Sequence, residues 1–240
     1  MDISVVVPIF NEQENILPLF ERLRSSLEKL DKTFEIIFVN DGSTDASLEI
    51  VKNIQANFSF EKIIDFAKNF GQHVAIIAGF ENACGNLVIT IDADLQNPPE
   101  EIARISEQFD KGFDVIGTIR RIRNDSAFRR YCSKILNKLR KIITKIPITD
   151  QGCMLRGYSQ NIAKKTAQKS VRSTFIPILA YTLAENPTEI YVEHAHRNAG
   201  KSKYNAFSLL KLGFNIFKKT NTPVSEDNKI KFQIRDKIGF

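Results

Sequence analysis

The segment LVITIDADLQNPPEEI, residues 87–102, ends an apolar run in two aspartates one residue apart, Asp92 and Asp94, with Gln96 two positions further on. Carboxylates at i and i+2 on a turn after a strand can share one hard cation. Mg2+ and Mn2+ favour oxygen ligands of this kind and often complete their shell with substrate phosphates; Gln96 can add an amide oxygen. The same aspartates can also do no more than cap a helix opened by Pro98 and Pro99, so the triplet alone leaves both readings open. Asp41, in VNDGSTDAS, stands in a turn where its carboxylate can accept from a nucleobase N–H or simply close an Asx-turn. Lys68 and Asn69 follow another apolar run and, taken alone, read as solvated loop residues. Arg197, in HRNAGKSKY, shares a glycine-containing loop with Lys201, Ser202 and Lys203. An arginine fork there suits a diphosphate; a solvated basic loop is the alternative.

Placing these residues requires a scaffold. Ile3–Val7, Phe34–Val39, Ile63–Phe66, Leu87–Ile91 and Phe113–Ile119 are short runs rich in β-branched residues and read as buried strands. Between them lie helical patterns. The first has apolar residues at Ile16, Leu17, Leu19, Phe20, Leu23, Leu27 and Leu30, with Asn11 as the expected cap and Glu14 as its capping-box partner. Another helix is expected after NDGSTD, one over roughly 72–83, and one after Pro98. Apolar strands alternating with helices predict a parallel sheet covered on both faces. In such sheets ligands bind beyond the carboxyl ends of the strands. That edge is where Asn11 and Glu12, Asp41, Lys68 and Asn69, and Asp92 and Asp94 all fall. Four polar clusters at one edge exceed what turn chemistry needs. Further along, Ala127–Ile146 has the pattern of an amphipathic helix, TDQGCMLRGY reads as a loop entering a strand, Ser173–Ala184 as a helix, Ile190–His194 as a strand and Ala206–Phe217 as a second amphipathic stretch.

With 240 residues, 42% hydrophobic and 26% charged, the chain can bury one substantial α/β core. Cys84, Cys132 and Cys153 lie far apart with no CxxC spacing, and His73, His194 and His196 do not complete a zinc set, which points to a reducing compartment. No signal peptide is visible, and no run approaches the ~20 apolar residues that span a bilayer. The net charge of +6 is concentrated: Arg120 to Lys145 holds ten Lys or Arg against one acid, Asp125, and the remainder is net acidic. Such a segment expects an anionic partner. No GxGxxG follows the first strand, which argues against a dehydrogenase, and no nucleic-acid module surrounds the basic stretch.

VVVPIFNEQENI, VNDGSTDAS, AKNFGQHVAIIAGF, TIDADLQNPPEEI, DQGCMLRGY and HRNAGKSKY occur in this order. Together they resemble the family 2 glycosyltransferases of GT-A fold, and within these the polyprenyl-phosphate branch of dolichol-phosphate mannose synthases and undecaprenyl-phosphate sugar transferases. RSTFIPIL and DQGCMLR are most similar to the undecaprenyl-phosphate formamido-arabinose transferases. The resemblance covers roughly Ile3 to Phe217. It implies an α/β GT-A domain over residues 1–217, with a mostly parallel sheet and helices on both faces, followed by a polar tail, 218–240, expected to be poorly ordered.

By the same resemblance, Pro8, Phe10, Glu12, Asp41 and Asn69 would bind the nucleotide. Asp92, Asp94 and Gln96 would hold Mg2+ or Mn2+. Arg197, with Lys201, Ser202 and Lys203, would close on the diphosphate. Arg129 and Ser133 would take the acceptor phosphate, and Asp150 would lie near acceptor and sugar. The implied reaction is inverting transfer of a sugar from a nucleotide-sugar to a polyprenyl phosphate, foremost undecaprenyl phosphate, for lipid A, O-antigen or other envelope glycan modification. The alternatives are a soluble saccharide acceptor or a shortened, non-catalytic membrane-binding relative. Members usually continue after the SKY region into two transmembrane helices, whereas here NTPVSEDNKIKFQIRDKIGF follows. The expected location is therefore peripheral, on the cytoplasmic face of the inner membrane and against an anionic membrane surface. A separate membrane subunit and homo-oligomerisation stay open as partners, and no nucleic acid is expected.

Overall fold

Every residue of Ile3–Ile9 (β1) is buried, including Ser4 and Pro8. A strand with no polar face must be covered on both sides, and β1 is. Val5 and Val7 face one layer and Val6 the other. A computed structural model describes residues 1–59, 61–121, 148–150, 152–170, 175–194 and 232–240. These residues form an eight-stranded sheet in the order β7-β5-β6-β4-β1-β2-β3-β8. Its strands are β1, Phe34–Asn40 (β2), Glu61–Phe66 (β3), Leu87–Thr90 (β4), Val115–Arg120 (β5), Arg156–Ser159 (β6), Pro187–Val192 (β7) and Ile234–Ile238 (β8). The helices are Ile16–Glu28 (α1), Ser47–Asn57 (α2), Gln72–Asn82 (α3), Ile102–Asp110 (α4), Gln160–Lys169 (α5) and Ile176–Leu183 (α6), with a 3-10 turn at Pro99–Glu101 before α4.

The two layers follow from residue spacing. Ile16, Leu19, Phe20, Leu23 and Leu27 recur at helical intervals on α1 and pack, with Val51 and Ile54 of α2 and Ile102 and Ile105 of α4, on Val5, Val7, Ile36, Phe38, Ile63 and Ile89. The opposite layer joins Ala75–Phe80 of α3, Ile162, Ala163 and Ala167 of α5, and Ile176, Ile178, Ala180 and Tyr181 of α6 to Val6, Ile37, Val39, Ile64 and Val88. Each large aliphatic side chain so buried contributes roughly 1.5–3 kcal/mol. Gly79 lets α3 lie directly on β1: a Cβ at that position would come 2.2 Å from Val6 Cγ1.

β1 pairs in parallel with β2 on one side and β4 on the other. The chain thus leaves β1 in one direction and returns on its far side, which makes the carboxyl end of β1 the topological switch point. β6 runs antiparallel between β4 and β5, with Thr90 opposite Arg156. Its beginning therefore meets the carboxyl end of β4. β5 and β7 run parallel to one another, so both also finish at this edge.

Three expectations change. α1 starts at Ile16 after Asn15, with no side-chain cap, and Asn11 sits at φ 54° in the preceding loop, so it caps no helix and builds no capping box with Glu14. The β-strand nearest His194 ends at Val192. Within the region read as a polar tail, Ile234–Ile238 forms β8, antiparallel to β3 with Ile63 opposite Ile238. The expected amphipathic stretches at 127–146 and 206–217 lie outside the described residues. No helix among the described residues is long and apolar enough to cross a membrane.

Candidate active site

The loops after β1 and β2 are fastened to each other by backbone N–H groups meeting side chains. Asn11 N donates to Ser43 Oγ at 3.0 Å and Thr44 N donates back to Asn11 Oδ1 at 2.8 Å. Glu12 N donates to Ser47 Oγ at 2.9 Å, and Ala46 N donates to Gln13 Oε1 at 3.0 Å. The polar residues of FNEQEN and DGSTDAS are thus largely spent on holding two loops together. Glu12 accepts at Oε2 from Asn15 Nδ2 at 2.8 Å, while Pro8 lies within β1 opposite Val39.

Asp41, 2% exposed, accepts from Phe70 N at Oδ1 (2.6 Å) and from Gly71 N at Oδ2 (2.9 Å). It clamps the loop that contains Lys68 and Asn69, both exposed. Burial pushes the Asp41 carboxyl above the usual range, and the two N–H donors offset this only in part. Gly42 makes the close approach achievable. Its φ is +68°, and a Cβ there would lie 2.4 Å from the carbonyl carbon of Lys68. The sequence expectation treated Asp41 and Asn69 as separate ligands of one nucleotide. The structure joins their loops through one carboxylate.

After β4 the chain turns sharply. Ala93 and Leu95 point into the core, 4% and 3% exposed, with Leu95 at φ 61°, a left-handed conformation costly for any residue with a Cβ. That turn places Asp92 half-buried and Asp94 at 7% exposure on the same edge as Asp41. Asp92 Oδ1 accepts from Gln72 Nε2 at 2.5 Å, and Asp94 Oδ1 accepts from Gln96 N at 3.1 Å. The Asp94 carboxylate therefore closes an Asx-turn and does not cap the 3-10 turn, which the alternative sequence reading expected of it; the cap there is Pro98, with no side-chain bond. The donor set is all oxygen and suits a hard divalent cation. No group of three or more His, Cys, Asp or Glu gathers among the described residues, so such a cation would take further ligands from substrate oxygens and water.

Asp150 reaches this edge through β6. It is fully buried, and its two oxygens accept from Arg120 Nε at 2.7 Å and Arg120 Nη2 at 3.0 Å, with Gly152 N adding 3.1 Å. Arg156, also fully buried, donates through Nε to the Cys153 carbonyl at 2.9 Å and through Nη2 to the Asp150 carbonyl. Cys153 Sγ in turn donates to Asn97 Oδ1 at 3.2 Å, tying this loop to the one after β4. Gln72, Arg120, Arg156 and Asn97 are absent from the sequence expectation. An arginine set among apolar residues in CMLRGY and another ending the fifth strand were the only signals for two of them. Arg129, Ser133, Arg197, Lys201, Ser202 and Lys203 lie outside the described residues. Phe10 and Gln96 are partly buried beside the loops just described.

A sheet edge with an acidic turn fits many α/β proteins, and a family model decides among them. The glycosyl transferase family 2 model matches residues 4–166, from the second residue of β1 past the end of β6, and so takes in Asp41, the DAD turn and Asp150. The chain belongs to glycosyl transferase family 2. Among curated relatives of this family 2 chain is the undecaprenyl-phosphate 4-deoxy-4-formamido-L-arabinose transferase of Pseudomonas syringae pv. syringae (strain B728a), 44% identical over 225 residues covering 92% of this chain and 66% of that protein. The protein of the same name from Salmonella choleraesuis (strain SC-B67) is 47% identical over 215 residues, covering 89% and 66%. The chain spans just under two thirds of the length of these relatives. The fold is shared with glucosyl-3-phosphoglycerate synthase from Mycobacterium tuberculosis in complex with Mn2+ and UDP-glucose, at a TM-score of 0.63 and 17% identity, covering 93% of this chain and 80% of that one. It is also shared with S. aureus TarS in complex with UDP-GlcNAc, at a TM-score of 0.56 and 20% identity, covering 95% and 69%. The family 2 fold class is therefore GT-A, with a mostly parallel sheet and helices on both faces.

Proposed function

We propose that this family 2 chain transfers a sugar from a nucleotide-sugar to a polyprenyl phosphate at the cytoplasmic membrane face, with inversion at the anomeric carbon. The observation that carries the reading is the convergence of the Asp41 clamp, the Asp92–Asp94 turn and the Arg120–Asp150 pair on one sheet edge in a chain so similar to undecaprenyl-phosphate transferases. The loops after β1, β2 and β3 would take the nucleoside, with Pro8, Phe10, Glu12, Asp41 and Asn69 around it. Asp92, Asp94 and Gln96 would hold Mg2+ or Mn2+, which when bound stabilises charge on the departing diphosphate.

The residues of the chain perform the rest. The acceptor phosphate is already an anion, so attack on the anomeric carbon needs no strong general base. Asp150 suits that chemistry: both of its oxygens accept from Arg120, so it orients groups and does not abstract a proton. Arg129 and Ser133 would bring the acceptor phosphate beside the donor, and Arg197 with Lys201, Ser202 and Lys203 would contact the donor diphosphate; holding both substrates supplies proximity. The test is incubation with a short polyprenyl phosphate, a panel of nucleotide-sugars and either cation, scored for glycolipid and released nucleotide. Glycolipid formation from one donor is the expected result. Transfer only to a soluble glycan, or nucleotide binding with no transfer, would overturn the acceptor assignment.

A further inference from the structure

We propose that Arg235, on the strand at the outer edge of the sheet, is a positioning residue for nucleotide binding, acting through Asp65 and Asn40 on the loops that carry Asp41 and Asn69. The inference rests on the reading of that edge as the donor site. Arg235 Nε lies 3.5 Å from Asp65 Oδ2, and Arg235 Nη2 donates to the Phe66 and Ala67 carbonyls, each at 3.3 Å. Asp65 is 1% exposed, and its other oxygen accepts from Asn40 Nδ2 at 2.7 Å. Asn40 Oδ1 accepts from Ser43 N at 3.2 Å, and Ser43 Oγ accepts from Asn11 N at 3.0 Å. A continuous polar relay thus runs from β8 across β3 and β2 into the loops after β2 and β1. Asn40 immediately precedes Asp41, whose carboxylate grips Phe70 and Gly71.

The same strand holds the loop after β3 from its other side. Ala67 N donates to the Gln233 carbonyl at 3.0 Å, and the Phe232 ring lies 5.0 Å from that of Phe66. The loop bearing Lys68 and Asn69 is therefore fixed at its start by β8 and at its end by Asp41. Buried carboxylates require compensation. Without Arg235, the Asp65 carboxylate would lean on the Asn40 amide, and the amide would be drawn out of register with Ser43. Both anchors of the nucleoside-facing loops would loosen together, though neither Arg235 nor Asp65 needs to touch the ligand.

The test is titration calorimetry of wild type and of Arg235→Ala, Arg235→Lys, Asp65→Asn and the Arg235→Ala/Asp65→Asn double variant with uridine and guanosine diphosphate, alongside thermal unfolding and amide exchange at Phe70 and Gly71. Arg235 is exposed over more than half its side chain, so its replacement opens no cavity in the core, and thermal unfolding separates a loss of stability from a loss of affinity. Expected is an affinity loss of about threefold to fivefold for Arg235→Ala, partial recovery in Arg235→Lys, faster exchange at both amides, and non-additive losses in the double variant. With donor sugar, KM should rise while kcat holds. Unchanged diphosphate affinity in Arg235→Ala, or a lowered Tm with no change in affinity or exchange, overturns the proposal. A wild type that binds neither diphosphate overturns the donor-site reading itself and this inference with it.

Discussion

Asp92 and Asp94 illustrate how two identical side chains two positions apart acquire different environments. Asp92 is half-buried and held by Gln72 from the first turn of α3, while Asp94 is nearly buried and bonded to the backbone of its own turn. One is aimed by a neighbouring element and the other by local geometry. Replacing Asp94 by Asn keeps the turn acceptor but substitutes a neutral amide for a carboxylate. The expected result is loss of cation-dependent transfer on the order of 100-fold with an unchanged unfolding midpoint. Undiminished transfer at saturating cation would count against a ligand role. At this scale the sequence showed that two acids follow the end of a strand and was silent about what holds them. Gln72 lies twenty residues away in sequence from its partner, and nothing in its type or spacing marks it.

At the scale of elements, α3 carries much of the site: Gln72 at its start reaches Asp92, and the loop before it is clamped by Asp41. Its position depends on Gly79 meeting Val6. Gly79→Ala adds a methyl group where β-branched Val6 on a central strand cannot move aside, and should cost about 1–3 kcal/mol in urea unfolding. Cation and nucleotide affinity should weaken with it, because the displaced helix carries Gln72 along. Stability equal to wild type would mean that the contact relaxes freely. β3 contributes a second device at the opposite end from the site. Glu61 is fully buried, neither carboxyl oxygen finds a hydrogen-bond partner in another described residue, and burial raises its pKa to about 7, its own backbone N–H and then Arg24 opposing the shift. The native state therefore holds this proton more tightly than the unfolded chain, whose carboxyl titrates near 4.5. The associated stability is fully present below pH 4.5 and is lost as pH rises toward 7. The unfolding midpoint should fall over that window in wild type, and Glu61→Gln should flatten the slope whatever its constant offset. Identical slopes would show that Glu61 does not titrate there.

For the whole molecule, charge and architecture work together. The site edge collects the carboxyl ends of β1 to β5 and β7, and the two sequence segments with the candidate acceptor and diphosphate residues follow β5 and β7 directly. The basic run from Arg120 to Lys145 therefore continues from the end of a strand that already presents Arg120 to Asp150. If this run meets an anionic membrane, its attraction should be screened by salt, each basic residue near the surface adding ~1 kcal/mol. Wild type should co-float with anionic vesicles at low salt, less at high salt, and poorly with neutral vesicles. Arg140, Lys141 and Lys145 replaced together by Gln should weaken flotation and spare nucleotide binding. Flotation indifferent to lipid charge would leave the run as a solvated surface.

Local pattern alone determined that this chain is an α/β protein with acids at the ends of its strands, because fully apolar strands and helical spacing are properties of consecutive residues. It also placed Asp41, Asp92 and Asp94 on one edge, since parallel strands put every carboxyl end on the same side. Tertiary structure decided the remainder. Asn11 adopts a left-handed conformation because its side chain answers Thr44 across a loop, a contact no capping pattern encodes. β6 has four residues, RGYS, too few for a period to be read, and its antiparallel insertion beside β4 is what delivers Asp150 to the site. α5 is capped by Ser159, whose hydroxyl accepts from Ile162 N, but its short apolar face is legible only once the layer it fills is known. β8 reads as a solvated tail because Arg235, Asp236 and Lys237 are charged. An edge strand tolerates such residues since half of it faces water, and only the partner strand β3 reveals that those charges belong to the fold.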